Sequence, residues 1–127
     1  MIVLSADEVA ELHGRLIAAT GGPAGIRDAG LLESAVLGCY QTFGNTDLYA
    51  SAIEKAARLA YAICKNHPFV DGNKRAAVAS MLVTLRMNDI ALSYTQRELV
   101  ALGLEIADGS LDYKAVVAWI DAHIRSV

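Results

Sequence analysis

His67-Pro68-Phe69-Val70-Asp71-Gly72-Asn73-Lys74-Arg75 packs together more reactive and phosphate-seeking groups than any other stretch of this chain. His67 can take a proton from a hydroxyl near neutral pH. Asp71 is an oxygen ligand suited to Mg²⁺. Gly72 lets a ligand approach the backbone closely. Asn73, Lys74 and Arg75 supply donors of three shapes, Lys74 a compact point charge and Arg75 a planar fork matched to phosphate oxygens. The apolar run Ala76-Ala77-Val78-Ala79-Ser80-Met81-Leu82-Val83-Thr84-Leu85 follows at once and reads as a buried helix. The loop therefore opens onto a helix N-terminus, where unpaired N–H groups and the positive dipole end favour anions. Each residue alone has a plain structural reading, as a helix stop, a turn or a solvated helix start. A bare helix–turn–helix needs only the glycine and at most the proline. The full set predicts a nucleotide-phosphate site with a metal ligand and a base beside it.

The flanks agree with that reading. Leu48–Asn66 reads as a long helix in which Ile53, Ala56, Ala57, Leu59, Ala60, Ile63 and Cys64 leave little polar circumference, so it is central. Glu54 and Lys55 fall on its exposed strip. Pro68 lacks an N–H and crowds the preceding turn, so the helix stops at His67 and delivers it to the loop. Phe69, between polar neighbours, is expected to plug into the core. The following helix is predicted from about Gly72 to Met87, with Asn88-Asp89 ending it.

Working outward, Ser5 and Glu8 form a capping box for a first helix that buries Val9, Leu12, Leu16 and Ile17. His13 on that helix reads as a hydrogen-bonded structural histidine. Thr20-Gly21-Gly22-Pro23-Ala24-Gly25 is a flexible loop. Asp28 caps a second helix facing inward through Leu31, Leu32, Ala35 and Val36. Arg27 is expected to pair with an acidic group elsewhere, or else to line a rim where a protein docks. Gly38 to Asp47 is irregular, with a turn at Gly44-Asn45. Ile90-Ala91-Leu92-Ser93 reads as a short extended piece. Thr95-Gln96-Arg97-Glu98 is a second capping box, opening a helix weakened by Gly103. Asp108-Gly109-Ser110 turns the chain into a last helix, Leu111 to Ile124, with Trp119 as a core anchor.

At 127 residues the chain is expected to form a single domain, 1–127, able to bury a core without staples. Its net charge of -3 argues against sequence-independent nucleic-acid binding, which needs a basic face. Cys39 and Cys64 lie in apolar helical context and read as reduced core residues of a cytoplasmic protein. Met1-Ile2-Val3-Leu4-Ser5 has neither the basic start nor the apolar length of a signal peptide. No stretch has enough unbroken apolar residues to span a bilayer. Three scattered histidines without a His-x-x-x-His pair give no first-row metal site. Apolar residues make up 54% of the chain, and mean hydropathy is +0.35. Alanine-rich packing accounts for part of that, and an apolar groove filled by a partner would account for the rest.

The stretch His67 to Arg75 resembles the active-site motif of the Fic/Doc family, HPFx[D/E]GN[G/K]R, and is closest to its death-on-curing (Doc-like) branch. Leu12-His13, Gly25-Ile26-Arg27-Asp28, Leu31-Leu32-Glu33-Ser34-Ala35 and Glu54-Lys55-Ala56-Ala57 extend the resemblance over nearly the whole chain. It implies an all-α fold, a compact bundle of about six helices around a central motif-bearing helix. It implies His67 as base, Asp71 as Mg²⁺ ligand, and Gly72, Asn73, Lys74 and Arg75 as the nucleotide-phosphate site, with ATP and Mg²⁺ as cofactors. In Fic-like folds a loop placed like 38–47 acts as a flap over the target. AMP-transferring Fic enzymes have glycine where Lys74 stands and a second arginine where Val78 stands. The Doc-like branch shares the lysine. The resemblance therefore implies transfer of the ATP γ-phosphate to a Ser or Thr hydroxyl of a protein, with the translation factor EF-Tu as target and growth arrest as outcome. Adenylyl transfer and a non-catalytic interaction domain are the alternatives, and the second should have lost His67 or Asp71. No inhibitory segment of the form [S/T]xxxE[G/N] occurs, so control in trans is expected, by a Phd-like antitoxin whose C-terminal segment folds as a helix into an apolar groove.

Overall fold

The computed structural model describes residues 3–125; Met1, Ile2, Ser126 and Val127, including the start of the N-terminal stretch read above, lie outside the described residues. Among the described residues the chain forms six helices, α1 (Ala6–Thr20), α2 (Ala29–Leu37), α3 (Ala52–Asn66), α4 (Asn73–Met87), α5 (Gln96–Ala107) and α6 (Tyr113–Ala122). Between α2 and α3 come a 3₁₀ turn, Gly38–Tyr40, and a small hairpin of β1 (Thr42–Phe43) and β2 (Thr46–Asp47). The fold is compact and mostly helical, as the sequence implies, with this hairpin as its β component.

Local chemistry sets the helix starts. Ser5, Ser51 and Thr95 each accept from the backbone N–H three residues on, and the glutamate there returns the bond, giving three capping boxes. Asp28 caps α2 and Asp112 caps α6. The Ser51 cap moves the start of α3 from the expected Leu48 to Ala52. The last helix is likewise shorter than Leu111–Ile124. The two-residue turn Gly44-Asn45 has φ of 56° and 67°, the paired left-handed geometry that matches hairpin twist.

Helices α3 and α4 form the centre and pack on each other most extensively. Ala56, Ala57, Ala60, Ala76 and Ala77 are fully buried, which lets the backbones approach closely. Leu59, Ile63, Met81 and Leu85 fill the rest of that seam, and Val9, Leu102, Ile106, Val116 and Ile120 close the core around it. Trp119 is half-buried and packs against the core with its ring stacked on His123. The extended piece near Leu92 pairs with the chain after α6, Ser93 N donating to His123 O and Arg125 N to Ala91 O. Cys39 and Cys64 are free and buried, and burial pushes both thiols up to about 11.

Lys55 corrects the sequence reading. It is buried, not on an exposed strip. Its Nζ donates to Cys39 O at 3.0 Å and Tyr49 O at 2.5 Å, with Asp47 Oδ2 at 3.7 Å. The ammonium is thus the clamp that ties the hairpin segment to the N-terminal end of α3. That end lies one helix away from His67, ~22 Å for 15 residues. Among the described residues no helix is long and apolar enough to cross a membrane.

Candidate active site

Helix α3 stops at His67, whose φ and ψ are both 54°, the left-handed region that glycine usually takes at a helix end. Pro68 and Phe69 turn inward and are buried, and Phe69 plugs the core as its sequence context predicts. The Phe69 ring stacks on His13, centroids 3.8 Å apart and 4° from parallel. His13 is buried, and its Nε2 lies 2.6 Å from the carbonyl of Asp71, to which it donates. The expected structural histidine of α1 therefore packs against the plug and holds the backbone at Asp71.

Asn73 does not present its side chain to solvent. It is 4% exposed, Oδ1 accepts from Phe69 N at 2.9 Å, and Nδ2 donates to Phe69 O at 3.0 Å. That orients the amide, so Nδ2 also faces His67 Nδ1 at 3.1 Å and donates to it. In this structure the Asn73 side-chain amide braces the loop and the His67 ring, and the backbone N–H of Asn73 stands at the start of α4. In the neutral ring this arrangement occupies the Nδ1 lone pair and leaves the proton on Nε2. A base acting through Nε2 must first exchange tautomer, giving up at least this neutral hydrogen bond, about 1 kcal/mol.

Gly72 sits at the N-cap of α4 with φ 76°. The left-handed φ favours glycine here, and an added Cβ would press on the ends of Ile17 and Arg75, with Ile17 Cδ1 at 3.1 Å and Arg75 Nη2 at 3.3 Å. The first intrahelical bond of α4 runs from Ala76 N to Gly72 O, so the N–H groups of Asn73, Lys74 and Arg75 precede the ladder. With the dipole they make this helix end a place for anions. Asp71 and Arg75 are partners, Oδ2 to Nη2 at 3.5 Å, with side chains 49% and 37% exposed. Arg75 Nη1 also donates to Gly21 O at 3.2 Å and to Thr20 Oγ1. The loop after α1 lies tight on this pair, because a Cβ on Gly22 would fall 2.6 Å from Asp71 Oδ2.

Lys74 stands apart from the other motif side chains. It lines a cavity of about 350 Å³ between α1, α4 and α5, next to Gly103, whose added Cβ would meet Lys74 Cβ at 3.3 Å. Leu16, Val78, Leu82, Leu99, Val100 and Leu104 make this groove apolar, and Arg75 and Thr20 reach its edge. So His67 with Asn73, and Asp71 with Arg75, meet at the α4 end, while Lys74 faces the groove.

Among the described residues Arg27 pairs with no carboxylate, contrary to the first expectation. Its Nε donates to His67 O at 2.7 Å and its Nη2 to Asn66 O at 3.0 Å. Partners about forty residues apart leave no local pattern. The signal available in the sequence was the resemblance over Gly25 to Asp28, which marks the segment without saying what it touches.

Residues 3–85 match the model of the Fic/DOC family, a region that runs from before α1 into α4 and leaves α5 and α6 outside. Over 75 residues, 59% of this chain, the sequence is 40% identical to a protein named Toxin Doc from Mycolicibacterium smegmatis, and the match spans 58% of that protein's length. Over 113 residues, 89% of this chain and 88% of the relative, it is 31% identical to a protein of Escherichia phage P1 named Protein kinase doc.

Proposed function

This chain belongs to the Fic/DOC family, and from that premise we propose that it is a Doc-like toxin that transfers the γ-phosphate of ATP to a Ser or Thr hydroxyl of a protein target. The observation that carries the reading is the placing of two pairs, His67 with Asn73 and Asp71 with Arg75, at one end of α4, beside three N–H groups that precede its ladder. Phosphoryl transfer asks for alignment and charge neutralisation more than for covalent chemistry.

The residues present suit Mg²⁺ and ATP. The Asp71 carboxylate is half exposed, with an ion-pair contact to Arg75 at 3.5 Å. Among the described residues no cluster of three or more His, Cys, Asp or Glu side chains occurs. A cation held by Asp71 therefore draws its other ligands from phosphate and water, the habit of Mg²⁺. When bound, Mg-ATP supplies the electrophilic γ-phosphorus and part of the charge neutralisation. Asp71 holds the metal, the α4 N–H groups and Arg75 hold phosphate oxygens, and Lys74 adds a charge from the groove side. His67 receives the hydroxyl proton at Nε2 once its ring has exchanged tautomer. Asn73 and His13 keep the loop in register for these steps.

The γ-phosphate reading rests on Lys74, which stands where AMP-transferring family members have glycine, and on Val78, which stands where they carry a second arginine. The target is proposed to be EF-Tu or a close counterpart, the outcome arrest of translation, and the compartment the cytoplasm. The apolar groove supports a partner in trans. A helix of a Phd-like antitoxin seated along Leu16, Val78, Leu82 and Val100 would cover Lys74 and the approach to Arg75.

Mass spectrometry of EF-Tu after incubation with this protein, ATP and Mg²⁺ tests the reading. A phosphate-sized increment is expected, falling ~10²–10⁴-fold in rate with His67→Ala. An AMP-sized increment would assign adenylyl transfer instead. If Lys74→Gly leaves the ratio of phosphoryl to adenylyl transfer unchanged, the lysine does not set the chemistry.

A further inference from the structure

Helix α3 hands over to the loop through a residue with a non-glycine side chain in a left-handed conformation, and such a backbone persists only where its surroundings hold it. Segment 25–28 provides that hold. Arg27 N and Asp28 N both donate to Pro68 O, at 2.7 and 3.0 Å, and Val70 N donates to Gly25 O at 3.1 Å. Ile26 bridges Phe69. These bonds use backbone and are open to almost any residue at position 27. The two side-chain bonds from Arg27 are not. They take hold of consecutive carbonyls, Asn66 and His67, at the C-terminal end of α3, where carbonyls lack intrahelical partners and the dipole is negative. Spanning both needs the planar edge of a guanidinium, and a lysine ammonium offers only a point charge.

His67 is thus gripped at two places. Arg27 holds its carbonyl, and Asn73 holds its ring nitrogen Nδ1. Neither grip touches Nε2, the nitrogen left for the reacting hydroxyl. We infer that Arg27 is a positioning residue for His67, fixing the left-handed backbone that aims the imidazole from α3 into the site. The inference builds on the transferase reading, because it takes His67 as the group that meets the hydroxyl.

The test uses the full chain, uniformly ¹⁵N-labelled, as wild type, Arg27→Lys and Arg27→Met. Long-range ¹H–¹⁵N spectra of the imidazoles resolve tautomer and titration for the three histidines, His13, His67 and His123. Both variants should move the His67 imidazole signals from their wild-type positions, as the ring loses its fixed placement against Asn73, and leave His13 and His123 as in wild type. Arg27→Lys should behave like Arg27→Met, since it keeps charge and loses the fork. In transfer to EF-Tu, kcat should fall about 10- to 100-fold with KM for ATP unchanged. Wild-type His67 signals in folded Arg27→Met, or an unchanged kcat, would overturn the inference. Should Arg27→Met fail to fold, Arg27→Lys decides by the same readouts. Should wild type modify nothing, the transfer reading falls on its own, and the His67 spectra still decide whether Arg27 holds that ring.

Discussion

The two ends of α3 are fastened by the same device in opposite surroundings. At the N-terminal end Lys55 donates to the carbonyls of Cys39 and Tyr49 and holds the hairpin segment. At the C-terminal end Arg27 donates to the carbonyls of Asn66 and His67 and holds the motif loop. Lys55 is buried, so its charge is desolvated and every partner counts. Arg27 lies in the open, and around it His67 and Asp71 are exposed as well. The difference teaches where function can sit. The motif end, which the proposed function gives to a ligand, keeps its charges open to solvent, and its loop is fixed through backbone carbonyls, Phe69, His13 and Asn73. The side chains at Nε2 of His67 and on Asp71 stay accessible.

If the motif end truly rests on one apolar plug, Phe69→Ala should be the most damaging substitution there. The ring is fully buried and stacked on His13, so a loss of about 3–5 kcal/mol in denaturant unfolding is expected. A much smaller loss would transfer the anchoring role to the backbone bonds with segment 25–28. At the other end, Lys55→Met keeps length and removes the donor for two carbonyls. Stability should drop by about 2 kcal/mol, with KM for ATP unchanged because the hairpin end is a helix away from the loop. A rise in KM for ATP would show that the two ends are coupled, and the comparison would fail.

Much of this was readable in advance, and the reason is range. Caps at Ser5, Asp28 and Thr95 involve a side chain and a backbone three residues on, so the sequence displays both partners. The Gly44-Asn45 turn and the Phe69 plug follow from residue type and immediate neighbours. The start of α3 was also on display, since Ser51 and Glu54 form a capping box, but apolar Leu48 and Tyr49 extended the helical reading past it. Lys55 could not be read, because its partners are carbonyls of an irregular segment whose path is not local. The same holds for Arg27, for the Asn73 amide turned onto Phe69, and for Arg75 held by Thr20 and Gly21. Motif residues announce their chemistry by type; which of them face solvent is set by contacts tens of residues away. Lys74 is the clearest case, a motif lysine directed at the α5 side.

A gentler substitution probes strain at the motif end. A left-handed conformation costs a non-glycine residue ~1–2 kcal/mol, and glycine gives back part of that through its larger unfolded-state entropy. His67→Gly should therefore stabilise the chain by about 0.5–1 kcal/mol in equilibrium unfolding while slowing transfer as much as His67→Ala does. No such gain is expected for glycine at Ser51 or Lys55, which sit in ordinary conformations. If His67→Gly destabilises instead, the Asn73 contact outweighs the strain.

The smallest effect lies away from both ends and marks their limit. His123 Nδ1 faces the Trp119 carbonyl at 2.7 Å and Nε2 faces Glu98 Oε2 at 2.6 Å. Both partners accept, so the arrangement is complete only for the doubly protonated ring. The Trp119 carbonyl first, and then Glu98, hold the imidazole above its ordinary 6.5. The bond to His123, with the Thr95 cap behind it, holds Glu98 below its ordinary 4.5. A raised histidine stabilises fully below pH 6.5 and loses that contribution as pH rises through its folded value. A lowered carboxylate stabilises fully above pH 4.5 and loses it as pH falls through its folded value. The pair thus stabilises most between pH 4.5 and 6.5 and fades on either side. Solvent screening keeps the effect slight. Thermal melts from pH 5.5 to 8.5 should show a modest decline that His123→Gln flattens. Because Glu98 caps α5, amide protection, corrected for pH, should weaken along α5 and stay constant at Phe69 and Lys55. Weakening at either of those residues would mean that the ends of α3 lean on α5, and their independence would have to be given up.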